Sequence, residues 1–274
     1  MSIKLIALDL DGTALRSDNT LSHTVASAIE SAASRGIEIV AASGRPFHSM
    51  PKSFLELKGV NYIISSNGAA ILDRSGKRIN RTLMAEQEVI KLLRLTEDCD
   101  LIWEAFLEGA TFTDIRYLRD PMKYGCTPAY VSYVQGSRGG LNDMRGYIYE
   151  NRRRLDSVEY VCTDKSLREK VRARLEANLT ESYITSSSAN FVELMHRDAT
   201  KSNAVKWLCK MLGISQGETA ACGNADNDAD MIACAGLKAA VANASENCKN
   251  AADIILPSND SDGVAELLKT ALAV

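Results

Sequence analysis

No stretch of this sequence is apolar for long enough to cross a bilayer, which takes about 20 residues, so a membrane protein is not expected. The apolar run within residues 1–8 is cut off by Asp9, is too short for the apolar centre of a secretory signal and lacks a cleavage pattern. Positive charge is not in excess either. The formal net charge is -3, which argues against a protein devoted to nucleic acid or to an anionic membrane. The 7 cysteines contain no Cys-x-x-Cys pair and their number is odd, so neither zinc nor a disulfide framework is expected. His23, His48 and His196 are scattered without metal-ligand spacing, and no internal repeat or low-complexity tract is present. These absences leave a soluble protein of the cytoplasm with reduced thiols, a monomer or small homo-oligomer.

What is there suffices for a sizeable core. With 274 residues, 46% hydrophobic and 24% charged, the chain can form one large domain or two of ordinary size. Residues 3–8 are a short apolar run ending at an acidic turn, as a buried parallel strand would be. Val25, Ala28, Ile29 and Ala32 then recur at helical spacing between Ser22, a helix N-cap, and Gly36, a stop. Residues 37–42 and 61–65 are two more strands, and Pro46 suits the first turn of a helix. The turn at Asp73-Arg74-Ser75-Gly76 joins a hairpin. From Ala199 onward the strand–helix alternation returns. The pattern predicts an α/β fold, a Rossmann-like doubly wound parallel sheet built from residues 1–81 and 187–274. Residues 82–186 differ: charged helices and aromatic segments, with 6 of the 9 tyrosines between Tyr117 and Tyr149, read as an inserted α+β cap domain. Within it, residues 114–140 hold Pro121, Pro128 and several glycines, which suggests irregular connections.

Asp9-Leu10-Asp11-Gly12-Thr13 follows the first strand directly. In an open parallel sheet, ligands bind at the carboxyl ends of the strands. Two acids one residue apart at such a place are costly unless a cation or hydrogen bonds compensate them, and magnesium suits hard oxygen ligands. Gly12 permits a tight turn and Thr13 adds a hydroxyl. The bland alternative is an acidic capping loop. Ser43-Gly44-Arg45 follows the second strand, Lys201 opens a helix in Asp198-Ala199-Thr200-Lys201-Ser202, and Gly223-Asn224-Ala225-Asp226-Asn227-Asp228 follows a later strand. Taken singly, each has an ordinary reading: Ser43 as a helix cap, Lys201 as a solvated lysine, Asn67-Gly68 as a turn.

In this order the four motifs resemble those of the haloacid dehalogenase superfamily of aspartyl-phosphate phosphatases. Ser65-Ser66-Asn67-Gly68-Ala69 and the large insertion resemble its Cof-type subgroup in particular. The resemblance covers essentially the full chain. It implies Asp9 as nucleophile and Asp11 as general acid and base, with Ser43 and Lys201 completing the catalytic set. It implies contacts to phosphate from Gly12, Thr13, Gly44, Arg45, Asn67 and Asn227, and Mg²⁺ held by Asp9, Asp11 through its main-chain carbonyl, Asn224 and Asp228. One position departs from the pattern. Asn224 stands where an aspartate ligand is implied, and an amide carbonyl can coordinate but brings no charge, so weaker magnesium binding is expected.

The expected activity is hydrolysis of a small phosphorylated metabolite, a sugar phosphate in the first instance. The large insertion fits this, since a cap that closes over a site excludes water and macromolecules. Two other classes share the same motifs: phosphoryl transfer of the phosphomutase type, and a non-catalytic phosphometabolite binder for which Asn224 is the warrant. Free phosphate as product separates the first from both.

Overall fold

The computed structural model describes residues 2–186 and 189–273. The chain forms two compact units. The first is made of the chain up to Arg45, Met50–Asn80 and the chain from Thr200 onward; the second is Pro46–Ser49 with Arg81–Ala199. In chain order the strands are β1 Leu5–Leu8, β2 Glu38–Ala42, β3 Val60–Ser65, β4 Ala70–Asp73 and β5 Arg78–Arg81. Then come β6 Ile102–Leu107, β7 Ala110–Asp114, β8 Arg138–Leu141, β9 Leu155–Val161, β10 Ser182–Thr185 and β11 Phe191–His196. The last three are β12 Thr219–Gly223, β13 Leu237–Val241 and β14 Ile254–Leu256.

The first unit holds one sheet in the order β14-β13-β12-β1-β2-β3-β4-β5. Neighbours from β14 to β3 run parallel, and β4 returns antiparallel beside β3. All four residues of β1 are buried, as an apolar strand covered on both faces must be. Helix His23–Ser34 starts where Ser22 accepts a hydrogen bond from the Val25 amide, and it packs on the closing helix Gly263–Ala273. Helices Lys201–Leu212, Ala229–Ala233 and Glu246–Ala251 pack on one another in succession. The chain leaves β1 for β2 on one side and comes back to β12 on the other. That reversal is the topological switch point at which such sheets bind ligands. The doubly wound sheet is the fold the sequence pattern calls for.

The second unit is a sheet in the order β10-β11-β9-β6-β7-β8, antiparallel except where β8 joins β7. One face is apolar. Trp103, Ala105, Val158, Tyr160, Val192 and Leu194 bury themselves against side chains such as Val89, Ile148 and Leu175 from the helices Glu86–Leu95, Met144–Glu150 and Lys165–Asn178. The alternate residues of the same strands carry Glu104, Glu159 and Glu193, with Glu159 directly opposite each of the other two.

Two expectations are corrected here. The second unit extends beyond residue 186 to Ala199, because β11 pairs antiparallel with β9, and it takes in Pro46–Ser49, where the His48 amide donates to the Gly109 carbonyl at 3.1 Å. Ser187, on which the boundary was placed, lies outside the described residues. Nor are residues 114–140 irregular: they form helical segments Ile115–Arg119, Pro121–Tyr124 and Pro128–Ser137. Asp114 and Asp120 cap the first two by accepting from the Arg116 and Lys123 amides. Pro121 and Pro128 open helical turns, where the missing amide hydrogen has no partner to lose.

Candidate active site

Four strands of the first unit end side by side, and each is followed at once by polar side chains. Asp9 follows β1, Ser43 follows β2, Ser66 and Asn67 follow β3, and Asn224 follows β12. After Asp9 the chain makes a wide turn closed by the Ala14 amide on the Asp9 carbonyl and the Leu15 amide on the Leu10 carbonyl. Gly12 has φ +73 there, and a Cβ on it would meet the Asn224 side chain at 2.5 Å. The first and last motifs therefore touch through a glycine that a larger residue could not replace. Thr13, buried, donates its hydroxyl to Asn224 Oδ1 at 3.1 Å.

Lys201 is the first residue of its helix, whose N-cap Thr200 accepts from the Asn203 amide. A helical side chain leans toward its own N-terminus, and here the ammonium reaches Asp9 Oδ1 at 2.7 Å and Asp228 Oδ1 at 2.6 Å. All three side chains are buried. Burial alone would pull the lysine down, but Asp228 and Asp9 more than reverse this and hold it protonated above the ordinary lysine range. Burial, and then the charge of Asp228, push the Asp9 carboxyl up to about 7 against the opposing pull of Lys201. Asp228 also accepts the Asn224 and Ala225 amides on Oδ2, both at 3.0 Å. Asp228, expected as a metal ligand, is the counter-ion of Lys201 and the brace of the turn after β12.

Ser43 is fully buried; its Oγ accepts the Arg45 amide at 3.1 Å within the turn and leaves its own hydrogen to donate. It stands four residues before the short helical segment Phe47–Ser49 and so is not the helix cap of its ordinary reading. Gly44 lies against the Asn67 side chain. Asn67 has φ +54, and its Oδ1 accepts from Asn227 Nδ2 at 2.8 Å. The adjacent Gly68 presses on the helix that carries Lys201, where a Cβ would meet the Thr200 carbonyl at 2.3 Å. Arg45, expected on phosphate, is instead paired with Asp11. Its Nε donates to Oδ2 at 2.7 Å and its Nη2 to Oδ1, while Nη2 also reaches Asn19 Oδ1 at 2.9 Å.

Asn19 and Asn243 complete this neighbourhood and carry no motif. Asn19 sits at φ +64 in the turn after Asp18, and Asn243 Nδ2 donates to the Gly12 carbonyl at 2.8 Å. Asn243 follows β13, so the position rule for parallel strands would have found it. Among the described residues no three His, Cys, Asp or Glu side chains gather as a metal cage, and no helix is long and apolar enough to cross a membrane.

A magnesium ion would nonetheless suit the atoms present. Asp9 Oδ2 is buried and has no hydrogen-bond partner. A buried carboxylate oxygen in that condition is costly, and a hard divalent cation is the ligand that satisfies it.

A family model described as haloacid dehalogenase-like hydrolase matches residues 6–268. The phosphatase YwpJ of Bacillus subtilis is 31% identical over 284 residues, covering 97% of this chain and 99% of that protein. The 5-amino-6-(5-phospho-D-ribitylamino)uracil phosphatase YcsE of the same organism is 27% identical, over 98% of this chain and 96% of its own. The solved structure of a haloacid dehalogenase-like hydrolase from B. subtilis superposes with a TM-score of 0.83 at 30% identity, covering 97% of this chain and 99% of that one. This chain belongs to the haloacid dehalogenase-like hydrolases. Within them it stands among the phosphatases, as the order of its motifs implies.

Proposed function

We propose that the protein hydrolyses small phosphomonoesters, sugar or polyol phosphates in the first instance, through a phosphoryl group carried on Asp9 with Mg²⁺ as cofactor. The observation that carries this reading is Asp9 itself: one oxygen held by a buried lysine, the other buried without a partner, at the switch point of the sheet. A similar protein, YcsE, is named for a phosphate ester of a ribityl chain, which supports the substrate class.

In this mechanism an Asp9 oxygen attacks phosphorus, and the bond from phosphorus to the leaving alkoxide breaks. Asp11 gives the alkoxide its proton. Water then attacks the phosphorus of the aspartyl-phosphate, Asp11 takes the water's proton, and Asp9 is restored as phosphate departs. Lys201 offsets charge on Asp9 and on the phosphoryl oxygens, its own charge secured by Asp228. The Ser43 hydroxyl and the amides around Gly12 and Gly44 donate to the phosphoryl oxygens, and the Asn67–Asn227 pair fixes the loop that carries them. Asp9, the Asp11 main-chain carbonyl and Asn224 would hold magnesium, which supplies positive charge beside the phosphoryl group. The test is phosphate release from a panel of small phosphoesters with magnesium, using Asp9→Asn as the blank. Release from sugar or polyol phosphates by the natural sequence alone is expected; no difference from the blank on any ester would end the proposal.

A binder without turnover is the second reading, and Asn224 is the observation that favours it. Under the first reading Asn224 weakens magnesium binding but does not abolish it. Titration of Mg²⁺ against this sequence and Asn224→Asp should show a tighter variant, and equal affinities would contradict that account of Asn224.

A further inference from the structure

The Arg45–Asp11 pair is built from both sides. Besides Asp11, Arg45 is held through its amide on Ser43 Oγ, its carbonyl under the Ser66 amide at 3.0 Å, and its Nη2 on Asn19. The guanidinium side chain is only 10% exposed, whereas that of Asp11 is 36% exposed. The cation is therefore the anchor, and the carboxyl is the partner that can meet a ligand. A two-pronged guanidinium–carboxylate contact fixes orientation as well as distance.

We infer that Arg45 acts on the reaction through Asp11, setting where that carboxyl stands, and does not grip the phosphoryl group itself. Arg45 is a positioning residue under this assignment, and the inference rests on the phosphatase reading of the same site. Each Asp11 oxygen accepts one bond from Arg45 and keeps a second lone pair, so the carboxyl can exchange a proton with a leaving group while the fork holds it. The hold aims the carboxyl and restrains it.

Leaving-group basicity separates this role from phosphate binding. Phenyl phosphate and 4-nitrophenyl phosphate are close in size, but the phenolate needs a proton far more than the nitrophenolate does. In Arg45→Gln, turnover of phenyl phosphate should fall about tenfold further than that of 4-nitrophenyl phosphate, as it should in Asp11→Asn. The double variant should be within about twofold of Asp11→Asn alone, because two groups acting as one are not additive. Arg45→Lys, which keeps the charge without the fork, should show the same pattern more weakly. Equal losses on both esters, chiefly in KM, would overturn the inference and return Arg45 to the phosphate. If the natural sequence turned over neither of these esters nor any ester of the wider panel, the phosphatase reading would fail on its own. The pair would still be tested by the nitrogen-15 resonance of the Arg45 Nε–H. That signal should exchange slowly and shift in Asp11→Asn, and a signal unmoved by the substitution would overturn the inference.

Discussion

Each unit of the chain buries a cation against more carboxylates than it can neutralise, and the two resolve the surplus in different ways. In the first, Lys201 lies between Asp9 and Asp228 at strand ends, and one oxygen of Asp9 is left without a partner. In the second, Arg138 pairs with Glu104, which lies in a row with Glu159 and Glu193 on three neighbouring strands. Its Nε reaches Glu104 at 2.6 Å and its guanidinium lies over the Tyr133 ring, with Tyr117 and Cys126 close by. Like charges directly opposite one another in a sheet repel, and here the repulsion is relieved by favouring a proton on one of them. Burial pushes Glu104 upward, but Arg138 overcomes this and holds it below the ordinary range. Burial, the hydrogen bond with Glu104 and the charges of Glu104 and Glu193 push Glu159 well above it. The lesson lies in what remains. Both surpluses raise a carboxyl, but only the one at the strand mouth leaves a buried oxygen without a partner, an acceptor able to meet phosphorus or a cation.

Substitutions can break that contrast. The largest effect is expected at Asp9, where Asn should lower kcat by about 10⁴-fold or more while the fold survives, as circular dichroism would show. Lys201→Met should slow turnover by about a hundredfold or more. It should also cost roughly 3–5 kcal/mol of stability, because two buried carboxylates lose their cation; kinetics and thermal melting read the two effects separately. Asn224→Asp should tighten Mg²⁺ by about tenfold, measured by calorimetric titration.

The smallest effect on activity is expected in the second unit. The folded-state pKa of Glu159 lies above its unfolded value, so the folded chain keeps a proton that the unfolded chain releases. Stability from this group is present at and below the ordinary glutamate range and is lost as pH rises above it, by up to about 1.4 kcal/mol per pH unit. Glu159→Gln should flatten that slope with little change in turnover. Of the 2 tryptophans, Trp103 belongs to this unit and Trp207 to the other. In a Trp207→Phe background, Trp103 fluorescence followed through melts from pH 5 to 9 isolates the second unit. A slope unchanged by Glu159→Gln would show that this carboxyl does not hold the proton.

The first unit was legible because its signals are local. Apolar runs, Ser22, Gly36 and the hairpin turn at Asp73 each mark a boundary within a few residues of the one observed. The four motifs were legible for the same reason, since each directly follows a strand or opens a helix. Partnerships were not. Which side chain Arg45 meets depends on the approach of two loops 34 residues apart, and no spacing rule encodes it. The row of glutamates was equally hidden: Glu104, Glu159 and Glu193 become neighbours only through the register of antiparallel strands far apart in sequence.

The central claim is that Asp9 carries the phosphoryl group, and trapping it is the most direct test. A single turnover quenched with borohydride should reduce an acyl phosphate at Asp9 to homoserine, found by mass spectrometry in the peptide that contains residue 9 and missing without substrate. Turnover that releases phosphate at full rate while residue 9 is recovered only as aspartate, or with reduction at another carboxylate, would contradict the account.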